Sequence, residues 1–167
     1  AISNGTGTTL VRKTNNGVLT MNFANTYTGG TTINAGGVKL SNVAGLGAAG
    51  QAVTINGGGL ILATDATVNA YNVVVGGSSS IFSDRATVGG GITHTLGTLS
   101  IGNSTLLSYV GISGNVNNAT AGLTFGTTTF TAATPVFDVS NIGLTMTLGA
   151  LNGNFAFSKA GSGEMIL

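Results

Sequence analysis

The chain has 167 residues, enough for one domain with a substantial core, but only 5% of them are charged, against about 25% in an average soluble domain. The net charge is +1, and five scattered cations (Arg12, Lys13, Lys39, Arg85 and Lys159) exclude the basic patch that a nucleic-acid interface needs. No Cys is present, which excludes disulfides and thiolate metal sites, and no apolar run approaches the roughly 18–20 residues of a membrane helix.

Short β-type runs follow one another along the whole chain. Thr, Val and Ile are abundant and 29 residues are Gly, a composition that disfavours helices. Runs of four to six residues, such as 136–139, are separated by clusters of Gly, Asn and Ser, such as 56–59 and 76–80. This pattern predicts an all-β chain.

Three ten-residue blocks repeat without gaps in the first half of the chain. They are TTINAGGVKL at 31–40, VTINGGGLIL at 53–62 and VVVGGSSSIF at 73–82. In each block a β-run ends at a corner of small residues and a second β-run follows. Looser copies begin at Leu99 and Leu123. Spacings of 20 to 26 residues predict a solenoid, because one such unit is too short to bury its own apolar face.

In a solenoid, equivalent residues of successive coils lie above one another, about 4.8 Å apart. We expect six or seven coils, which would form a rod roughly 30 Å long. An antiparallel β-sandwich is the open alternative, because Asn-Gly and Gly-Gly pairs are also hairpin signals. The solenoid predicts two buried columns, one of Ile33, Ile55 and Val75 and the other of Leu40, Leu62 and Phe82.

The polar residues between the runs are predicted to form corners. Thr28–Thr31 encloses a Gly pair, and Gly tolerates the positive φ angles that tight corners need. Asn34 and Asn56 occupy equivalent positions, so their side chains are expected to form a hydrogen-bonded ladder along the axis. Tyr27 is expected to pack against the edge of a coil with its hydroxyl in water.

His94 is the only His in the chain. The alternation of residues 92–96 places it opposite the side chains of Thr93 and Thr95 and favours a packed or surface polar residue over a catalytic one. A second imidazole for a two-His metal site is missing from the sequence.

The four carboxylates, Asp65, Asp84, Asp138 and Glu164, are far apart in the sequence. Glycoside hydrolysis commonly needs two carboxylates at a defined separation, which makes a polysaccharide-active β-helix enzyme the least favoured hypothesis. Asp84 and its neighbour Arg85 are expected to form a local ion pair in an irregular loop at 83–91. We predict no catalytic, cofactor or metal site.

The segment 127–131, TTTFT, places Thr127, Thr129 and Thr131 on one face of a strand. Flat arrays of Thr on solenoids can bind ice or carbohydrate. Solvent-facing Thr residues of an ordinary strand are the favoured interpretation.

Two segments far apart in the chain share Lys and Gly positions. RKTNNGVLTM at 12–21 and SKAGSGEMIL at 158–167 align Lys13 with Lys159 and Gly17 with Gly163. We expect residues 1–167 to form a single β-solenoid domain that is one segment of a larger chain or of a polymeric assembly.

Residues 13–47 resemble the autotransporter-associated β-strand repeat. The similarity is strongest over NTYTGGTTINAG at 25–36, and FSKAGSGEMIL at 157–167 resembles the opening of another copy, with Glu164 and Met165 as departures. The resemblance implies a right-handed parallel β-helix in the passenger region of a large secreted or outer-surface bacterial protein.

These observations together predict a non-enzymatic extracellular structural protein, such as a stalk, a coat or a self-assembling filament subunit. Unpaired strand edges and low charge favour self-association or continuation into a longer chain. An adhesin passenger fragment that binds host or surface glycans is the alternative. We expect no cofactor, no nucleic-acid partner and no membrane-spanning segment in this chain.

Overall fold

A computed structural model describes residues 1–117 and 120–167. That part of the chain contains eighteen strands of two to six residues and no helix, which confirms the all-β prediction. It therefore also holds no helix long and apolar enough to cross a bilayer.

Two sheets of seven strands run the length of the molecule, and every neighbouring pair of strands is parallel. The order of sheet A is β1 (Val11–Lys13), β3 (Thr31–Ile33), β5 (Ala52–Ile55), β7 (Asn72–Val75), β10 (Leu99–Ile101), β13 (Thr128–Phe130) and β16 (Leu151–Asn152). The order of sheet B is β2 (Val18–Met21), β4 (Gly37–Leu40), β6 (Gly59–Ala63), β8 (Ser79–Asp84), β11 (Thr105–Val110), β14 (Val136–Val139) and β17 (Ser158–Ala160).

A third sheet begins only in the fourth coil. Sheet C contains β9 (Thr93–Thr95), β12 (Ala121–Thr124), β15 (Leu144–Thr147) and β18 (Glu164–Ile166), again all parallel. The chain passes from sheet A to sheet B in each coil and, from the fourth coil on, continues through sheet C. The architecture is a parallel β-helix of seven coils, and the antiparallel sandwich is excluded.

The predicted register of the first buried column is confirmed. Ile33 pairs with Ile55 and Ile55 pairs with Val75, and all three side chains are buried. Leu40 pairs with Leu62, as predicted. The alternation of buried and exposed residues along each strand therefore fills the interior with stacked aliphatic side chains.

The prediction that Phe82 continues the Leu40 and Leu62 column is wrong. Ser83 pairs with Leu62, whereas Phe82 pairs with Ile61 and lies half-buried on the outer face. Val75 pairs with Ile55, and Ile81 pairs with Leu60. The corner between the paired residues is 76–80 in this coil and 56–59 in the preceding one, so the corner before β8 is one residue longer. A shift of one residue exchanges the two faces of a strand, so Ile81 takes the inward position.

The predicted equivalence of Leu99 and Leu123 is also wrong. Leu99 pairs with Val73 on one side, as the spacing of 26 residues predicted, but with Thr128 on the other. Leu123 instead pairs with His94 in sheet C. The reason is the extra strand in each later coil, which lengthens the coil beyond the repeat read from the first half.

The corners between sheets A and B explain the repeated Gly clusters. Gly36 and Gly58 have φ angles of 70° and 82°, and they lie in equivalent corners of successive coils. A Cβ atom on Gly58 would lie only 2.2 Å from the carbonyl oxygen of Gly36. Both the positive φ and this close approach of backbones require glycine.

The third side of the first coils consists of loops that are clamped by side chains. Asn25 Nδ2 donates to the carbonyl oxygen of Gly45 at 2.6 Å, and Asn69 Nδ2 donates to that of Gly47 at 2.8 Å. Tyr71 Oη accepts from Leu46 N at 3.1 Å and donates to the carbonyl oxygen of Val43 at 2.8 Å. Loops 25–27 and 69–71 therefore hold the turn between them from opposite sides.

The prediction of a wet hydroxyl on Tyr27 is wrong. Its side chain is fully buried, and Tyr27 Oη lies 2.6 Å from Thr31 Oγ1. Burial raises the pKa of this phenol, and the bond to Thr31 opposes that rise.

The similarity between segments 12–21 and 158–167 extends to their geometry. Lys13 Nζ donates to the carbonyl oxygen of Asn15, and Lys159 Nζ donates to that of Gly161 at 2.6 Å, so each Lys caps a corner two residues ahead. Asn15 and Gly161 both have positive φ angles, of 61° and 75°. The first corner joins sheets A and B, whereas the second joins sheets B and C.

Candidate functional site

His94 is a packed polar residue, as the sequence predicted. Its side chain is fully buried, while Thr93 and Thr95 are exposed. His94 Nε2 lies 3.1 Å from the carbonyl oxygen of Asp84. Burial lowers the pKa of this imidazole, because the charged form loses its hydration, and nearby backbone carbonyls oppose the shift.

The predicted ion pair between Asp84 and Arg85 is wrong. Asp84 is buried, and its carboxylate accepts hydrogen bonds from Arg85 N at 2.8 Å and from Ser113 N and Oγ at 3.1 and 2.7 Å. The guanidinium of Arg85 points elsewhere and forms a salt bridge with Asp65 at 3.1 Å. In β8 Asp84 alternates with Ser83 and lies on the same face as Phe82, and it is buried because the loop of the next coil covers it and donates from Ile112 N and Ser113. Asp84 therefore anchors that loop instead of its neighbour's side chain.

The other three carboxylates occupy separate surface positions. The pKa of Asp65 is lowered, first by hydrogen bonds from the backbone and hydroxyl of Thr87 and then by Arg85. Asp138 accepts from Ser140 Oγ at 2.8 Å, and Glu164 accepts from Thr145 Oγ1 at 3.2 Å. Within residues 1–117 and 120–167, no three His, Cys, Asp or Glu residues are grouped closely enough to hold a metal ion.

The predicted Thr face of segment 127–131 is present in the structure. Thr127, Thr129 and Thr131 are exposed, while Thr128 and Phe130 point inward. Thr129 aligns with Ser100 on one side and Asn152 on the other. The neighbouring coils therefore do not repeat the triple Thr pattern, so the Thr face is one strand wide.

A groove on the outer face of sheet B crosses the coils along the axis. It consists of two adjoining cavities of about 420 and 290 Å³, which share Gly58 and Ser80. The floor is formed by the outward positions of β4 and β6, where Gly37 pairs with Gly59. Residues lining one cavity or the other include Val18, Gly37, Ile61, Phe82, Thr105 and Leu107.

The wall of this outer groove is aromatic. Phe82 lines the larger cavity, and its ring stacks on that of Tyr109 in the next coil, with centroids 5.3 Å apart and planes 11° from parallel. This pairing follows from the one-residue shift at the corner before β8, which places both rings on the outer face.

Sequence reasoning missed this groove, although part of its signal was present. Gly37 and Gly59 lie at the same position of two aligned blocks, and both face outward beside the Gly-rich corners. The aromatic wall was hidden, because Phe82 was assigned to the interior through an alignment without gaps.

Comparisons with known proteins bear on the family of the repeat. The family model of the passenger-associated-transport-repeat matches residues 11–40. This segment is an autotransporter passenger repeat. It overlaps the segment 13–47 whose resemblance the sequence indicated, and that prediction is confirmed.

The passenger repeat is accompanied by one wider similarity. The chain is 37% identical over 83 residues, 49% of its length, to a protein named adhesin BmaC autotransporter from Brucella suis biovar 1 (strain 1330). The chain spans only about 2% of the length of that relative. Among solved structures, none matches significantly.

Proposed function

We propose that this chain is a non-enzymatic rod segment of an extracellular, surface-exposed bacterial adhesin passenger. The observation that carries this proposal is the parallel pairing that continues through all seven strands of sheets A and B. At about 4.8 Å for each coil, this stack is roughly 30 Å long. Such a segment extends a protein along one axis and holds more distant parts away from the cell.

The repeat family and the named adhesin support the extracellular location. The distribution of titratable groups supports a role that does not depend on catalysis. His94 and Asp84 are buried and engaged with backbone groups, and Asp65 is held by Thr87 and Arg85. Residues 1–167 would act as one domain within a longer passenger.

Surface labelling tests this location directly. Antibodies against the purified chain should label intact source bacteria, and brief protease treatment of those cells should remove the label. Immunogold particles should lie at a distance from the outer membrane, as a rod segment requires. Label that appears only after the cells are permeabilised would contradict the proposal.

Negative-stain microscopy of the purified chain distinguishes the two structural roles. A stalk segment should give separate short rods whose length does not change with concentration. Regular fibres that lengthen with concentration would instead assign the chain to a self-assembling filament.

A further inference from the structure

A rod function leaves the outer groove of sheet B unexplained. Gly37 and Gly59 are the first residues of β4 and β6, and both face outward in register. A Cβ atom on Gly59 would lie 2.8 Å from Ser80 Oγ and 3.2 Å from Phe82 Cε2, so these side chains already cover that glycine. Gly37 is therefore the position whose missing side chain needs another explanation.

The fold does not require glycine at position 37. Gly37 does not have a positive φ, and a Cβ atom there would lie 3.5 Å from Val18 Cγ2 and 3.6 Å from Ile61 Cδ1. These are ordinary van der Waals distances, so an alanine would fit. Its methyl group would project into the larger cavity, and the glycine keeps that space open.

The two cavities offer complementary surfaces to a ring that has apolar faces and hydroxyl edges. The larger cavity is lined by Phe82, whose ring stacks on that of Tyr109, and by the aliphatic residues Val18 and Ile61. In the smaller cavity, hydroxyl groups of Ser78, Ser80 and Thr105 line the surface. Pyranose sugars combine apolar C–H faces with equatorial hydroxyls.

Charge and size identify the class of ligand. Among the described residues that line either cavity, none carries a charge, so the groove complements an uncharged partner. Sites for small rings have volumes of about 300–1,000 Å³, whereas a stable protein partner needs about 1,000 Å² of interface. The coil spacing of about 4.8 Å is also close to the length of one pyranose unit in a chain.

We propose that the outer groove of sheet B binds an uncharged polysaccharide that runs along the solenoid axis. One sugar ring packs against Phe82 above Gly37, and the next places its hydroxyls against Ser78, Ser80 and Thr105. This binding site is separate from the rod function, and surface labelling of cells does not report on it.

Affinity electrophoresis of the purified chain tests the proposal. Native gels are cast with hydroxyethylcellulose, laminarin or mannan, and a fourth gel contains the anionic polymer alginate. We expect retardation in at least one neutral gel and none in alginate. Gly37→Ala should weaken the affinity at least fivefold and Phe82→Ala should abolish retardation, whereas Thr129→Ala on sheet A should migrate as the wild type does.

Several results would overturn this inference. They are an unretarded wild type in all three neutral gels, retardation in alginate alone, and equal retardation of Gly37→Ala and the wild type. Sugar-free self-association that Gly37→Ala removes would assign the groove to a second copy of the chain.

One readout needs no variant. Addition of the soluble hexasaccharide of the bound polymer should shift the amide resonances of Val18, Gly37, Ile61 and Phe82 selectively. Shifts confined to sheet A would also reject the site.

Discussion

Asn56 Nδ2 donates a hydrogen bond of 2.9 Å to Asn34 Oδ1, directly across two successive coils. The two side chains lie in equivalent corners, and the bond runs along the solenoid axis as the repeat predicted. This hydrogen bond links the two corners directly after β3 and β5, where the backbone pairing of sheet A ends.

Removal of this amide should weaken the solenoid modestly. For Asn56→Ala we expect a loss of about 0.5–1 kcal/mol in the free energy of unfolding, because the bond is exposed and a net hydrogen bond contributes little more. Urea denaturation followed by far-UV circular dichroism measures the change. Thr129→Ala, an exposed change on the same sheet, serves as the control, and equal midpoints for the two variants would show that the Asn pair contributes nothing.

A charge inside the aliphatic column should be far more damaging. Ile55 is fully buried between Ile33 and Val75, so Ile55→Asp places a carboxylate where no water or partner reaches it. We expect a loss of several kcal/mol in unfolding free energy. The matched control is Thr54→Asp, since Thr54 is the neighbouring residue and faces outward. A thermal melt in which Thr54→Asp is as destabilised as Ile55→Asp would argue against the inward assignment.

His94 should make the stability of the protein depend on pH. Its pKa in the folded state lies below the ordinary value of 6.5, so the unfolded chain binds the proton more tightly. The contribution of His94 is therefore complete above about pH 6.5 and declines as the pH falls towards the folded pKa. Asp84, the nearest carboxylate, is already fixed by Ser113 and Arg85 N.

Urea midpoints at several pH values between 7.5 and 5 measure this dependence. The wild type should lose stability over this interval, and His94→Gln should show a flatter profile. The pKa of Asp65 is lowered from an ordinary value of 3.8, so its titration lies below the interval and does not mimic the effect. Parallel profiles for the two proteins would assign the pH dependence to another group.

The phenol of Tyr71 should matter more than that of Tyr27. Tyr71→Phe removes the acceptor of Leu46 N and one of two hydrogen bonds at the carbonyl oxygen of Val43, which still accepts from Asn69 N at 2.9 Å. Tyr27→Phe removes one bond to Thr31. We expect a loss of about 1–3 kcal/mol for Tyr71→Phe and a smaller loss for Tyr27→Phe. Guanidinium denaturation of both variants compares them, and the reverse order would contradict the clamp described for the third side.

The same phenol predicts sensitivity to alkali. Burial raises the pKa of Tyr71 from 10.0 to about 12, so the folded protein resists its ionisation. The stabilising contribution is present below pH 10 and is lost as the pH rises towards 12. Melting temperatures at pH 9 and pH 11 should fall more steeply for the wild type than for Tyr71→Phe.

The sequence was sufficient for the architecture and for the register of sheet A over three coils. The register of Ile33, Ile55 and Val75 could be read directly, because each is the third residue of an aligned block and comes before the corner whose length changes. The corner Asn pair followed from the same alignment. His94 was also placed correctly, because alternation with two Thr residues reports which side of a strand is buried.

The other registers could not be predicted, because they depend on small differences in the length of corners and coils that composition does not reveal. One additional corner residue turned Phe82 outward, and the added strands of sheet C displaced Leu123 from the column that contains Leu99. Asp84 was misplaced because a loop of the next coil covers it and supplies Ser113 as its partner. Tyr27 was misplaced because its buried hydroxyl has a partner in Thr31. The groove could not be predicted before these registers were known.

The loops on the third side of the early coils determine where the sequence can change without loss of the fold. Sheets A and B carry the continuous ladder, but between β2 and β7 the third side is closed by Asn25, Asn69 and Tyr71 acting on a turn. Segments there can be lengthened without altering strand register, provided that these side chains keep their carbonyl partners and that the backbone bonds from Asn25 N to Ala44 O and from Asn69 N to Val43 O are preserved. New epitopes can therefore be inserted on the third side while sheets A and B stay intact.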